Sequence, residues 1–283
     1  MSGQESIAAH LQAGTRRLAE AGIEDARREA RLILAHALGV EPVAILGYPE
    51  RIVGDAGGYR ALIARRAARE PLSHLTGRRE FWSMEFEVTP ATLDPRPDSE
   101  TLVEAALAAV TDRAAALSLL DFGAGTGCLL LALLGELPNA RGVGIDISQD
   151  ALAVARRNAS RLELASRALF AIGDWGASLA GPFDLIVSNP PYIPSADIPG
   201  LQAEVAQYEP HRALDGGADG LEAYRRLAPD IARLLAPGGV SVLEFGAGQG
   251  ADVARLMSAE GLIVQGFDRD LAGHERCLTV MRR

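Results

Sequence analysis

Leu117-Ser118-Leu119-Leu120-Asp121-Phe122-Gly123-Ala124-Gly125-Thr126-Gly127-Cys128-Leu129-Leu130-Leu131-Ala132-Leu133-Leu134 is the stretch on which the fold turns. Leu117 to Phe122 is short and apolar, with one acid, as a buried strand is. Three glycines at alternate positions end it, where the backbone can turn with positive φ and a ligand can approach the main chain. Cys128 to Leu137 then reads as a helix. The alternation continues downstream. Gly142 to Ile147 is a second strand, with Ser148 placed to cap the helix after it. Ala168 to Ile172 and Asp184 to Ser188 are further strands. A helix from Leu221 to Leu235 ends at Pro237-Gly238-Gly239, and Val240 to Phe245, Leu262 to Phe267 and Cys277 to Met281 complete the set. Strands alternating with helices predict an α/β fold with a doubly wound, mostly parallel, Rossmann-like sheet.

Upstream the period changes. Ile7, Leu11 and Leu18 recur at helical spacing. A second helix is expected from Asp25 to Leu38, with Gly39 to terminate it, and Glu41-Pro42 opens a third. A fourth is expected from Asp55, as N-cap, to Glu70, stopped by Pro71. Met84 to Val88 alternates apolar and acidic residues, and with Phe81 and Trp82 predicts a hairpin. Pro90, Pro95 and Pro97 stiffen the crossing into the α/β part.

Composition narrows the chemistry. The 283 residues carry 28 basic and 37 acidic side chains, for a formal charge of −9, and every basic one is arginine. Residues 1–90 balance 12 Arg with 12 acids, so the excess lies downstream. Stable, non-specific nucleic-acid binding needs a basic face and is not expected. Arg60, Arg65, Arg66, Arg69, Arg78 and Arg79 form one locally basic stretch, read as a solvated face or a docking surface. Cys128 and Cys277 form no CxxC pair, and the five histidines show no zinc spacing, so no metal is expected. The first twenty residues are interrupted by charge, and the strongest apolar run, Cys128 to Leu134, is too short for a bilayer. A cytoplasmic protein without a membrane partner is expected.

Three motifs carry the chemistry. The first is Asp121-Phe122-Gly123-Ala124-Gly125-Thr126-Gly127, at the carboxyl end of a strand, where open α/β sheets bind ligands. Nineteen residues after Gly127, Asp146 can accept hydrogen bonds from both hydroxyls of a ribose. This pair suits NAD, FAD or S-adenosylmethionine. The G-x-G-x-G spacing favours S-adenosylmethionine, and so does Asp121, since an acid suits an ammonium and repels a pyrophosphate. The second is Gly173-Asp174-Trp175, where Asp174 can accept from an adenine amino group and Trp175 can wall the ring. The third is Asn189-Pro190-Pro191-Tyr192, directly after a strand. A nitrogen on a planar group is a poor nucleophile and must be held with its lone pair aimed at the methyl. The Asn189 side-chain oxygen and the Pro190 carbonyl can each accept one N–H, the Pro-Pro pair fixes both, and Tyr192 offers a flat face.

Asn189 to Tyr192 in this context resembles the class I methyltransferases that modify exocyclic or amide nitrogens. Flanking segments narrow the resemblance to the PrmC/HemK family of release factor glutamine methyltransferases. They are Glu70-Pro71-Leu72, Leu75-Thr76-Gly77, Glu80-Phe81-Trp82, Pro95-Arg96-Pro97-Asp98-Ser99-Glu100, Tyr208-Glu209-Pro210, Gly220-Leu221 and Tyr224-Arg225. The resemblance spans nearly the whole chain. It implies residues 1–80 as a helical substrate-recognition domain, 81–95 as a hairpin linker and 96–283 as the methyltransferase domain. It implies S-adenosylmethionine as cofactor, leaving S-adenosylhomocysteine, with Asp121, Gly123, Ala124, Gly125, Thr126, Gly127, Asp146, Asp174, Trp175 and Asn189 at its site. Asn189, Pro190, Pro191 and Tyr192 would bind the substrate, with Asn189, Pro190 and Tyr192 catalytic. The implied substrate is the glutamine of the Gly-Gly-Gln motif in class I peptide-chain release factors, and the implied state is a monomer.

There are departures from the family pattern. Asp98-Ser99 stands where Glu-Thr is usual, Asp94 precedes Pro95, and Phe122, Ala124 and Thr126 vary the glycine loop. Arg96 is read as a surface charge or as a partner for a substrate or cofactor carboxylate. Residues 193–220 lack periodicity and are assigned to the protein substrate. Gly246, Gly248 and Gly250, beside Glu244 and Gln249, are read as a strand–helix turn. Two rivals stand: a nucleic-acid N-methyltransferase acting on adenine or guanine, and a non-catalytic binding module.

Overall fold

The computed structural model describes residues 5–53 and 57–283, in two compact units. The first holds the residues up to Gly77 together with Gln202–Tyr208. Its elements are β1 (Glu5–Ser6), α1 (Ile7–Glu20), α2 (Ala26–Leu38), α3 (Pro42–Gly47), β2 (Ile52–Val53), α4 (Gly57–Ala67) and α5 (Leu72–Thr76). Leu18, Ala30, Ile33 and Leu34 are fully buried between the helices. Gly14 of α1 admits the Tyr59 ring. A Cβ there would lie 1.9 Å from the tyrosine oxygen, whose hydroxyl donates to the His10 carbonyl at 3.2 Å. Gly39 ends α2 at a φ of 64°, as expected. The expected cap Asp55 lies outside the described residues. α4 stops at Ala67, short of Glu70, because Arg69 turns into the left-handed region at a φ of 74°.

The basic stretch is not an open cationic face. Arg60 pairs with Glu5, Arg65 with Glu70, and Arg69 with Glu204. Arg66 is 6% exposed and bridges Glu29 at 2.5 Å and Glu204 at 3.0 Å. Arg78 pairs with Glu85, and Arg79 donates to the Pro95 carbonyl.

The second unit opens with the hairpin β3 (Arg78–Phe81) and β4 (Met84–Glu87). Trp82 and Ser83 turn it with φ of 52° and 56°, the signs a tight two-residue hairpin turn demands. The main sheet holds β5 (Ser118–Phe122), β6 (Arg141–Asp146), β7 (Ala168–Ile172), β8 (Phe183–Ser188), β9 (Leu235–Glu244), β10 (Ile263–Arg269) and β11 (Glu275–Met281). Its order is β10-β11-β9-β8-β5-β6-β7, and only β11 runs against its neighbours. The doubly wound, mostly parallel sheet is therefore as expected. Helices α6 (Glu100–Ala109), α7 (Cys128–Glu136) and α8 (Gln149–Arg161) pack on one face. After α9 (Ala203–Tyr208), which belongs to the first unit, α10 (Glu222–Leu234) and α11 (Gly250–Ala259) pack on the other.

Strand periodicity divides the core. Leu119 faces the α6–α8 layer, and Leu120 and Phe122 face α10 and α11. Asp121, two residues from Leu119, therefore points into an apolar layer. β9 begins five residues earlier than the expected Val240, since Phe183 already pairs with Leu235. Gly238, at a φ of 75°, lets Pro237-Gly238-Gly239 loop out while pairing holds on both sides. The chain runs from β5 through β6 to β7 on one side, then returns to β8 on the other. That reversal opens a crevice at the carboxyl ends of β5 and β8.

Candidate active site

A cavity of about 320 Å3 lies at that crevice. Gly123 and Gly125 of the loop after β5 line it, with Asp146 at the end of β6, Asp174 and Trp175 after β7, and Asn189 and Pro191 after β8. Thr92, Leu93, Pro210, Arg212 and Arg226 complete the wall. The glycine loop is built by its backbone. Gly123, Gly125 and Gly127 take φ of 74°, 53° and 79°. A Cβ on Gly127 would press the Phe170 ring at 3.0 Å, whereas Gly123 has nothing within 4 Å. Gly127 is thus needed for packing, and Gly123 leaves the main chain open to the cavity.

Asp146 is tied to that loop. Its two oxygens accept from the Gly125 N–H at 2.9 Å and the Ser148 N–H at 2.8 Å. Each oxygen keeps a lone pair for a further donor. Asp121 differs. It is 1% exposed, and neither of its oxygens has a partner. Burial, reinforced by the Asp146 charge, pushes its carboxyl up to about 7. After β7, Asp174 pairs with Arg226 at 2.6 Å, and the same guanidinium lies 6.0 Å from the centre of the Trp175 ring. Trp175 holds a φ of 55°, unusual for an aromatic residue and of the kind found at functional sites.

The loop after β8 is pinned from behind. Ser188 Oγ donates to the Phe122 carbonyl at 2.8 Å, joining β8 to β5. Gln249 accepts from the Gly246 N–H and donates to the Tyr192 carbonyl, both at 2.9 Å. Asn189 Nδ2 donates to Ser99 Oγ at 3.0 Å. Pro190 is buried, and Tyr192 packs against the α10–α11 core. Burial, then the nearby Glu244, pushes the Tyr192 phenol up to about 12, so it stays neutral.

Of the residues the sequence singles out, Gly123, Gly125, Asp146, Asp174, Trp175, Asn189 and Pro191 meet around one cavity. Asp121, Ala124, Thr126, Gly127, Pro190 and Tyr192 stand behind its surface. Arg96 does not await an external carboxylate; it pairs with the buried Glu209 at 2.5 Å. Residues 193–220 form short helical turns whose ends are fixed by Ile193 bonding to Leu214 and Gly216, and residues 202–208 belong to the first unit. Burial pushes the thiols of Cys128 and Cys277 well above their usual range, which removes them as nucleophiles. Arg226, Gln249 and Glu244 were not singled out for the site. Glu244 and Gln249 carried a signal, since both flank the second glycine cluster.

The fold and the crevice at its switch point define a class I methyltransferase. A methyltransferase-domain model matches residues 114–244, and the PrmC N-terminal domain model matches residues 9–77. A solved methyltransferase from Pyrococcus furiosus shares the fold, with a TM-score of 0.51 at 19% identity, over 79% of this chain and 97% of that one. The release factor glutamine methyltransferase of Rhodospirillum rubrum is 54% identical over 275 residues, covering 96% of this chain and 84% of its own. That of Moorella thermoacetica is 44% identical over 277 residues, covering 96% and 97%. The chain belongs to the release factor glutamine methyltransferase family.

Proposed function

We propose that this chain methylates the side-chain amide nitrogen (N5) of the glutamine in the Gly-Gly-Gln motif of class I peptide-chain release factors, using S-adenosylmethionine. Asn189 at the cavity wall, with its amide nitrogen turned to Ser99, carries this reading together with family membership.

The cavity residues fit the cofactor. Just behind the cavity surface, the buried carboxyl of Asp121 has two unpartnered oxygens; it calls for a cation, and the methionine ammonium is one. Asp146 has lone pairs for two ribose hydroxyls, and Trp175 gives a flat wall for adenine. Asp174 keeps one oxygen for the adenine amino group while Arg226 holds the other. When bound, the cofactor supplies an electrophilic methyl on a sulfonium.

The protein's part is to make a weak nucleophile reactive. An amide nitrogen shares its lone pair with the carbonyl. Asn189 Oδ1 and the Pro190 carbonyl each accept one of its hydrogens, which favours loss of planarity as positive charge develops. Pro190-Pro191 holds both acceptors in place beforehand. Tyr192 acts behind them by anchoring the loop to Gln249. No side chain need take the proton before the methyl moves; the charged product can release it to water.

Among its described residues the helical unit shows no glycine loop paired with an acid, so we assign it to the release factor, with residues 81–95 as linker and 96–283 as the transferase. The enzyme acts in this reading as a cytoplasmic monomer. No helix of the described residues is long and apolar enough to cross a membrane.

Losing the Asp146 charge removes the acceptor of two hydroxyls, a cost of roughly 1.5–3 kcal/mol. Asp146→Ala is therefore expected to weaken S-adenosylmethionine binding about tenfold or more, read by calorimetry. An unchanged affinity removes Asp146 from the site. The acceptor is tested by offering methyl-labelled cofactor with release factor, DNA or ribosomal RNA in parallel. Label should reach the Gly-Gly-Gln peptide and vanish when that glutamine is changed. Preferential transfer to adenine or guanine would make the nucleic-acid reading the right one.

A further inference from the structure

Asn189 serves the reaction only if its oxygen, and not its nitrogen, meets the acceptor amide. The two ends of an asparagine side chain are nearly equal in size, so the surroundings must choose between them. Two groups face the nitrogen end. Ser99 Oγ accepts from Nδ2 at 3.0 Å, and the carboxyl of Glu244, the last residue of β9, lies beside the same side chain, since β8 and β9 pair Ser188 with Leu243. Ser99 is 3% exposed and Glu244 1%. The Tyr224 hydroxyl donates to the Glu244 carbonyl at 2.8 Å, and Cys277 pairs opposite it in the sheet. Its Oε2 has no partner. A carboxyl so buried is costly to keep, and nothing in the core packing calls for one.

We infer that Glu244, acting with Ser99, is a positioning residue that locks the Asn189 amide with its nitrogen inward and its oxygen toward the acceptor glutamine. This rests on the methyl-transfer reading above. An ionised carboxylate only accepts. Ser99 Oγ spends a lone pair on the Asn189 N–H, so its single hydrogen is free for the neighbouring Glu244 carboxylate. Two acceptors then face one end of the Asn189 amide, and only its NH2 can satisfy both. Protonating Glu244 turns an acceptor into a donor, and the flipped amide becomes equally well satisfied.

The groups around Glu244 set where that change falls. Ser99 and Asp98 face it from the turn before α6, Asn189 and Tyr192 from the loop after β8, Tyr224 from α10, Arg276 and Cys277 from β11, and Cys128 from the start of α7. Burial pushes its carboxyl up to about 7. The Ser99 hydrogen bond, Arg276 and Asn189 favour ionisation, and Asp98 opposes it. The raised value means that the ionised, locking form is lost as pH falls through neutrality.

The test uses the full-length protein with its release factor, cofactor saturating, and reads single-turnover rate from about pH 5.5 to 8.5. The wild-type rate should rise with pH through about 7. Glu244→Gln should lose that rise and run about tenfold slower at the alkaline end, with cofactor affinity unchanged. Ser99→Ala should also slow turnover at unchanged affinity, and Ser99→Thr, which keeps the hydroxyl, should restore it. A Glu244→Gln enzyme with the wild-type rate, or a slowed one with the wild-type pH profile, overturns the inference. If Glu244→Gln does not fold, the serine pair decides, and equal rates for Ser99→Ala and wild type overturn it. Failure of the wild type to methylate release factor at any pH would instead sink the functional reading.

Discussion

Replacing Asn189 with alanine is expected to slow methyl transfer roughly 10²–10³-fold, as loss of one preorganised polar group does at other polar transition states. Cofactor affinity should change little, because the cofactor's proposed anchors, Asp121 and Asp146, lie on β5 and β6 and their backbone bonds do not pass through Asn189. The loop should survive as well. It is held by the Gln249 bond to the Tyr192 carbonyl and by Ser188 on the Phe122 carbonyl, neither of which needs the asparagine side chain. The fall should therefore appear in the single-turnover rate. Asn189→Asp is the sharper variant. It keeps an accepting oxygen yet sets a second carboxyl against Glu244, so it should not recover the rate. A near-normal single-turnover rate in Asn189→Ala would defeat the mechanism.

What could be read from the sequence follows how local its cause is. The strand, glycine loop and helix at 117–137 are adjacent in the chain, and Ser148 caps α8 three residues from the Ala151 N–H it accepts. Such features are set by short-range geometry, and they locate most of the cavity. The second tier is not local. Ser99 and Asn189 meet across 90 residues, Arg96 and Glu209 across 113, and Gln249 reaches Tyr192 across 57. No periodicity announces those meetings; the sheet order creates them by laying β9 beside β8. Hence the sequence offers Glu244 only as a neighbour of a strand–helix turn, and Arg96 only as a surface charge or a partner for an outside carboxylate. The arginine stretch is partly of the same kind: Arg60, Arg65 and Arg78 find acids within the first 90 residues, whereas Arg66 and Arg69 also meet Glu204, which no local count of charge brings to them.

S-adenosylmethionine affinity is expected to depend steeply on pH, through Asp121. With the cavity free of a cation, burial and the Asp146 charge hold its carboxyl at about 7, so it is mostly protonated in mild acid. Binding an ammonium beside it favours the ionised form. Below pH 7 the incoming ligand must therefore displace a proton, and each further unit weakens binding by about tenfold. Between pH 7.5 and 5 the dissociation constant should rise by roughly 50–100-fold on this account. Above about pH 8 the trend should stop, since an α-amino group loses its own proton there. Calorimetry at pH 6 in two buffers of different ionisation heat should show release of about one proton per cofactor bound. Asp121→Asn should bind more weakly at pH 7.5, with little dependence on pH, because a neutral amide has no proton to release and no charge to offer. The sign separates this from the Asp146 effect, which removes hydroxyl acceptors and should weaken binding without adding proton release. A wild-type affinity that stays level from pH 5 to 7.5 would mean that the ammonium sits elsewhere, and would leave the buried carboxyl of β5 without a function in binding.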